Sequence, residues 1–217
     1  MSSATTGTGA TGAMLRDRGT VVIVPGLRGH VEEHWQTLLA ARLPRVRTVT
    51  SYGRDKRDLA GRVSDLQRTV EESVQESGGP VTLVAHSAGC LTTVHWAQQT
   101  STPIRAALLA TPPDLGRPLP AEYPSLDELR ESGWLPIPVA PLPFPSIVAG
   151  SSNDPLGDEV RVAALAEAWG SHFIDVGPVG HLNPAAGYGE WPLAEALLEA
   201  LDAMASVDPH GALPRVP

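Results

Sequence analysis

Three residue types that together perform acyl transfer occur in one order along this chain. Ser87 lies in Ala85-His86-Ser87-Ala88-Gly89, Asp154 in Asn153-Asp154-Pro155, and His181 in Val179-Gly180-His181. A serine hydroxyl is a weak nucleophile near neutral pH. It needs an imidazole to take its proton, and the imidazole needs a carboxylate to orient it. Small residues two before and two after Ser87 suit a sharp strand-to-helix turn that pushes a nucleophile out at the carboxyl edge of a sheet. Ala85 stands where a glycine is usual, one methyl larger. The oxyanion of a tetrahedral intermediate also needs backbone donors. The Ala88 N–H is one, and the loop Pro25-Gly26-Leu27-Arg28-Gly29 offers the other, from Leu27 or, as a fallback, Arg28.

Taken singly, each residue has a plainer reading: Ser87 as a helix N-cap, Asp154 as part of an Asn-Asp-Pro turn, His181 as a surface loop histidine. Their positions relative to the surrounding elements favour the joint one. Short apolar, β-branched runs at 20–24, 46–50, 81–85, 105–110, 146–149 and 173–176 alternate with helix-period segments at 31–43, 58–77, 88–99, 157–169 and 190–205. That alternation predicts a mostly parallel sheet of about six strands with helices on both faces, a three-layer α/β architecture. Ser87 then follows the third strand, Asp154 the fifth and His181 the sixth, all at carboxyl ends and in the order Ser, acid, His that this fold uses. A strand order 2-1-3-4-5-6 would reverse direction between the first and third strands, where open α/β sheets bind ligands.

Between 111 and 145 ten prolines prevent regular structure over a span longer than an ordinary connection. Ser125-Leu126-Asp127-Glu128 reads as a capping box that starts one short helix within it. The segment is expected to form a lid or pocket wall, or else a stiffened surface excursion. Trp134, Leu135 and Phe144, with Gly26 and His86 nearer the nucleophile, are the candidates for lining a substrate pocket.

Composition bounds the rest. A chain of 217 residues suits one core, so 19–206 is expected to be a single domain between flexible tails at 1–18 and 207–217. The formal charge of −8 disfavours phosphate backbones and anionic lipid. No apolar run approaches the roughly 20 residues of a membrane-spanning helix. The single cysteine, Cys90, excludes an internal disulfide and a thiolate metal cage. The expectation is a cytoplasmic protein acting on a small acyl substrate, without cofactor, metal, nucleic acid or membrane; the oligomeric state is left open.

Several of these segments together resemble a known family. Val24-Pro25-Gly26, His34-Trp35-Gln36, the turn at Ser87, Asn153-Asp154-Pro155, Gly180-His181 and Tyr188-Gly189-Glu190-Trp191-Pro192 are similar to the small α/β-hydrolase-fold serine hydrolases of the retinoblastoma-binding-protein-9 type. The likeness covers roughly residues 19 to 205. It implies a compact hydrolase with a minimal cap, a triad at Ser87, Asp154 and His181, and carboxylesterase-like cleavage of small acyl esters through an acyl-enzyme. The pocket-protein association of the human member is not implied, because no Leu-x-Cys-x-Glu motif surrounds Cys90.

Two rivals belong to other classes. His30-Val31-Glu32-Glu33-His34 matches the H-x-x-E-H pattern of inverted zincins, but it directly follows a Pro-Gly turn and no third ligand is evident downstream. A binding protein that keeps the fold without turnover is the other, because a fold does not determine activity.

Overall fold

The computed structural model describes residues 19–51 and 54–207. The expected tails lie outside the described residues, apart from Val207 at the end of the last helix. In chain order the elements are β1 (Val21–Val24), α1 (Trp35–Arg42), β2 (Val46–Thr48), α2 (Leu59–Ser77), β3 (Val81–His86), α3 (Ala88–Ala97), β4 (Ile104–Ala110), α4 (Leu126–Glu131), β5 (Ser146–Gly150), α5 (Glu159–Ala168), β6 (His172–Asp175), a 3-10 turn (Pro184–Ala186) and α6 (Leu193–Val207). All strand pairs are parallel, and the sheet runs β2-β1-β3-β4-β5-β6. The strand order is the 2-1-3-4-5-6 arrangement considered from the sequence, and the three-layer architecture is the one the alternating apolar runs predict.

Alternation along each strand divides the core between the two faces of the sheet. Val22, Val24, Leu83 and Ala85 pack with Leu66 and Val70 of α2, Leu91 and Val94 of α3, and Val162 and Ala166 of α5. From the opposite face, Val21, Ile23, Val84 and Leu108 meet Trp35 and Leu39 of α1 and Leu197, Leu198 and Leu201 of α6. Central β3 is buried along its whole length, as a strand covered on both faces must be. Edge strand β6 is not: its ends are exposed, because it has a neighbour on one side only.

The first helix starts later than its apolar pattern suggests, at Trp35 rather than residue 31. The His34 N–H donates to the Val31 carbonyl, closing a turn, and the His34 side chain accepts the Gln36 N–H. His34 is therefore the N-cap, and Glu32 and Glu33 precede the helix. The last helix likewise begins at Leu193, just after Pro192, whose ring disfavours helical backbone at the preceding Trp191. Trp191 stays outside it and packs edge-on against Trp35, with ring centroids 4.8 Å apart.

The proline-rich span forms the short helix α4, with both hydrogen bonds of the capping box between Ser125 and Glu128 in place. Two indole groups tie the span to the body of the molecule. Trp134 Nε1 donates to the Arg57 carbonyl at 2.9 Å, and Trp169 Nε1 donates to the Pro138 carbonyl at 2.7 Å. Among the described residues no helix is long and apolar enough to cross a membrane.

Candidate active site

Ser87 sits on the one-residue turn between β3 and α3 with φ 56° and ψ −127°. A side-chain-bearing residue held there costs on the order of 1–3 kcal/mol and persists only because the surroundings impose it. They do so through close approach. A Cβ built on Gly89 would stand 2.2 Å from the Val24 carbonyl oxygen, so only glycine lets α3 pass this near β1. The additional methyl of Ala85 is accommodated, since that residue is fully buried in β3.

Ser87, His181 and Asp154 are all buried and hydrogen-bonded in series. Ser87 Oγ is 2.7 Å from His181 Nε2, and His181 Nδ1 is 2.8 Å from Asp154 Oδ2. A carboxylate can only accept, so Nδ1 carries the proton and Nε2 is left as the acceptor facing the hydroxyl. Local bonds hold each partner. Asp154 Oδ1 accepts the Leu156 N–H at 2.8 Å. Neighbouring Asn153 accepts the Gly180 N–H at 2.6 Å, joining the loop after β5 to the loop after β6. His181 is followed by Leu182 at φ 46°, a second strained residue beside the chemistry.

Behind His181 lies a group of imidazoles packed at tilted and edge-on angles. His86 Nε2 donates to the His181 carbonyl at 2.9 Å, and its ring lies 5.0 Å from that of His181 and 4.6 Å from that of His34. Burial pulls the His34 pKa down to about 4, with the charge of a protonated His181 as a smaller cause. Burial, with His181 and then His34, also pushes His86 well below the usual imidazole value. Both rings are therefore neutral near pH 7. The His86 ring lies between those of His34 and His181.

Two cavities meet at Ser87. One, of about 100 Å³, is lined by Gly26, Leu27, Arg28, His86 and His181 and opens on the side of the Pro25–Gly29 loop. The other holds about 30 Å³ and is wholly apolar, formed by Leu27, Ala88 and Leu91 with Leu115, Leu119 and Trp134 of the proline-rich span. A Cβ on Gly26 would come within 3.2 Å of Ser87 Cβ, so this glycine lets the Leu27 peptide lie next to the nucleophile. Ala88 is the first residue of α3 and its N–H has no intrahelical acceptor.

Of the pocket candidates, Gly26, His86 and Trp134 line these cavities, whereas Leu135 and Phe144 line neither. Phe144 is buried in the core on the α2 side of the sheet and Leu135 packs against the same cluster, so both support the wall from behind. Tyr123, which lines both cavities, and Leu115, Leu119 and Leu156 were not among the candidates. No periodicity marks residues of an irregular, proline-rich segment as inward-facing.

The zinc rival meets three obstacles. His30 to His34 form turns rather than one helical face, and His34 Nδ1 already accepts a backbone N–H. No group of three or more metal-ligating side chains clusters among the described residues. Cys90 is buried, donates to the Ala110 carbonyl at 3.3 Å, and burial pushes its thiol well above the usual range, which leaves it inert.

The fold and this edge geometry define an α/β hydrolase, and comparisons with known proteins agree. A family model for serine hydrolases matches residues 21–200, and the chain belongs to that family. Among solved structures, it is similar to a YdeN-like protein of Pectobacterium atrosepticum described as a hydrolase. The two share 31% identity over 90% of this chain and 96% of that one, with a TM-score of 0.71. More distant likenesses concern the fold alone. Est1E of Butyrivibrio proteoclasticus, solved with ferulic acid bound, is 15% identical over 87% of this chain and 88% of its own, with a TM-score of 0.63. The thioesterase RedJ of the Streptomyces coelicolor prodiginine pathway is 18% identical over 85% and 89%, with a TM-score of 0.56. No curated protein matches the sequence.

Proposed function

We propose that the protein is a carboxylesterase-like serine hydrolase that cleaves small acyl esters through a covalent acyl-enzyme. The observation that carries this reading is the 2.7 Å contact between Ser87 Oγ and His181 Nε2, in a ring whose other nitrogen is bound to Asp154. Ser87 attacks the ester carbonyl while His181 takes its proton. The leaving alcohol departs with that proton, and water, activated by the same imidazole, releases the acid. Asp154 fixes the tautomer and balances the imidazolium charge. The Leu27 and Ala88 N–H groups would receive the oxyanion, each worth about 3 kcal/mol in such a site. No cofactor enters any step. The acyl group fits the apolar cavity and the leaving group the more polar one.

Within the family, the retinoblastoma-binding-protein-9 type and a cytoplasmic setting are part of this proposal, the first supported by the segments quoted above. Labelling with a fluorophosphonate tests the mechanism. The probe should attach once per chain, at Ser87, and block p-nitrophenyl acetate hydrolysis. A chain left unlabelled, or labelled fully in Ser87→Ala, would refute the assignment.

A further inference from the structure

On the far side of the Pro25–Gly29 loop lies a third cavity, of about 380 Å³, whose lining is unusual for this protein. The chain as a whole carries a net charge of −8, yet Arg28, Arg54, Lys56 and Arg62 line this space with His30, and among the described residues no Asp or Glu does. The hydroxyl-bearing residues Thr48, Thr50, Ser51 and Thr92 complete its polar wall.

Arg62, on α2, is the informative member. It is only 8% exposed, and its Nε is buried with no hydrogen-bond partner among the described residues. One terminal nitrogen makes long contacts of 3.5 and 3.4 Å to the carbonyls of Gly26 and Leu27. None of the ion pairs among the described residues includes it. The neighbouring acids are already engaged. Asp65 accepts from Ser51 at 2.9 Å, Arg54 at 3.0 Å and Arg68 at 2.9 Å, and Asp58 accepts from Arg54 and the Gly61 N–H at 2.8 Å each. A buried cation without a paired anion is costly, and a guanidinium with free donors matches the planar or tetrahedral oxygens of an oxyanion. Burial and nearby Arg54 both lower the Arg62 pKa, more than Asp65 and Asp58 raise it, which is the direction for a cation short of counter-charge.

We propose that this cavity is a second ligand site, which binds a small oxyanion, a carboxylate or a phosphate group, with Arg62 as its buried anchor and Lys56 and Arg28 as its outer cations. The cavity shares residues Gly26 to Gly29 with the cleft at Ser87 but does not include the serine. Binding there is thus independent of the hydrolytic reading and can be measured on an inactive variant.

Calorimetric titration of the full chain with inorganic phosphate and with acetate, against chloride at matched ionic strength, tests it. Saturable binding of at least one oxyanion is expected, unchanged in Ser87→Ala, at least tenfold weaker in Arg62→Met and severalfold weaker in Lys56→Gln. Met fills similar volume without charge, and replacing an unpaired buried cation by an apolar side chain is commonly tolerated. Should Arg62→Met still fail to fold, Lys56→Gln alone decides. The proposal is overturned by absence of saturable binding, or by equal affinity in whichever variants fold. A second arm locates the source of the group. If kcat/KM for 4-acetoxybenzoate, whose carboxylate is on the leaving group, relative to phenyl acetate falls in Arg62→Met, the oxyanion is carried by the substrate. If that ratio holds while phosphate binding is lost, it is a free anion.

Discussion

The acyl cavity sets a limit on chain length that Leu119→Ala should move. Its volume is about 30 Å³, and roughly 10–15 Å³ of such volume accommodates one water-sized group. Two or three carbons beyond the carbonyl therefore fill it. Each buried methylene contributes about 0.8 kcal/mol, close to fourfold in kcat/KM, so butyryl should exceed acetyl by about fifteenfold. Longer chains should then gain nothing, because added carbons stay in water. Leu119 is only half-buried, in the proline-rich span, so its truncation costs less stability than that of a core leucine. Removing its side chain opens space for two or three more carbons. The break in the series should move from butyryl to hexanoyl or heptanoyl, and butyryl itself should fall severalfold as its contact is lost. The assay is kcat/KM for p-nitrophenyl esters of two to ten carbons, below micellar concentrations. A wild-type series still rising at octanoyl, or a break that stays at butyryl in Leu119→Ala, would refute this account of the cavity.

Ser87→Ala and His181→Ala should each lower kcat by about a thousandfold or more, and the double variant should be no worse than either, since the residues act as a unit; near-wild-type turnover in either single variant would dismiss the triad. Asp154→Asn should retain the fold and lose about a hundredfold or more in kcat, measured alongside circular dichroism to confirm folding. Gly89→Ala places a Cβ 2.2 Å from the Val24 oxygen, so about 1–3 kcal/mol of stability should disappear, with about a hundredfold in kcat as the nucleophile shifts; an unchanged melting temperature would contradict the close approach. Acid should destabilise the protein through its buried histidines. The His34 pKa is about 4 when folded, against 6.5 as the ordinary value. The unfolded chain therefore binds the extra proton first, and stability is full above about pH 6.5 and falls as the pH drops towards 4, by up to roughly 3 kcal/mol from this group. His86 adds to the loss in the same direction. Urea midpoints at pH 7 and pH 5 measure it, and equal midpoints would mean that these rings are not held neutral.

The strands themselves and the positions of Ser87, Asp154 and His181 at their ends were legible because they rest on signals that survive in one dimension. Fully buried parallel strands read as continuous apolar runs, and turns such as Asn153-Asp154-Pro155 have their own chemistry. Helix starts were less legible. Trp35, Leu38 and Leu39 carry the apolar face of α1, but where it begins is decided by His34, an uncommon N-cap whose ring nitrogen accepts the Gln36 N–H. The pocket wall was the least legible part. Trp134 and Phe144 are both large, apolar and set in the proline-rich span, and both are buried in one core cluster, yet only Trp134, tied by its Nε1 to the Arg57 carbonyl, also borders the cavity. The buried, unpaired Arg62 was likewise hidden, since in one dimension it is an ordinary helical cation four residues after Asp58.

The three hydrogen-bonded residues hang from β3, β5 and β6, with β6 at the edge of the sheet and last in sequence. That arrangement has a consequence for biosynthesis. Ser87 and His181 are 94 residues apart, and at roughly 5–20 residues per second a ribosome needs about 5 to 20 s to travel between them. A nascent chain can assemble β1, β3 and α3, strained turn included, long before its base exists. On the proposed mechanism the serine lacks its His181 acceptor until β6 pairs with β5, so the half-made protein would carry a nucleophile that cannot attack, and hydrolysis would switch on only with the final strand.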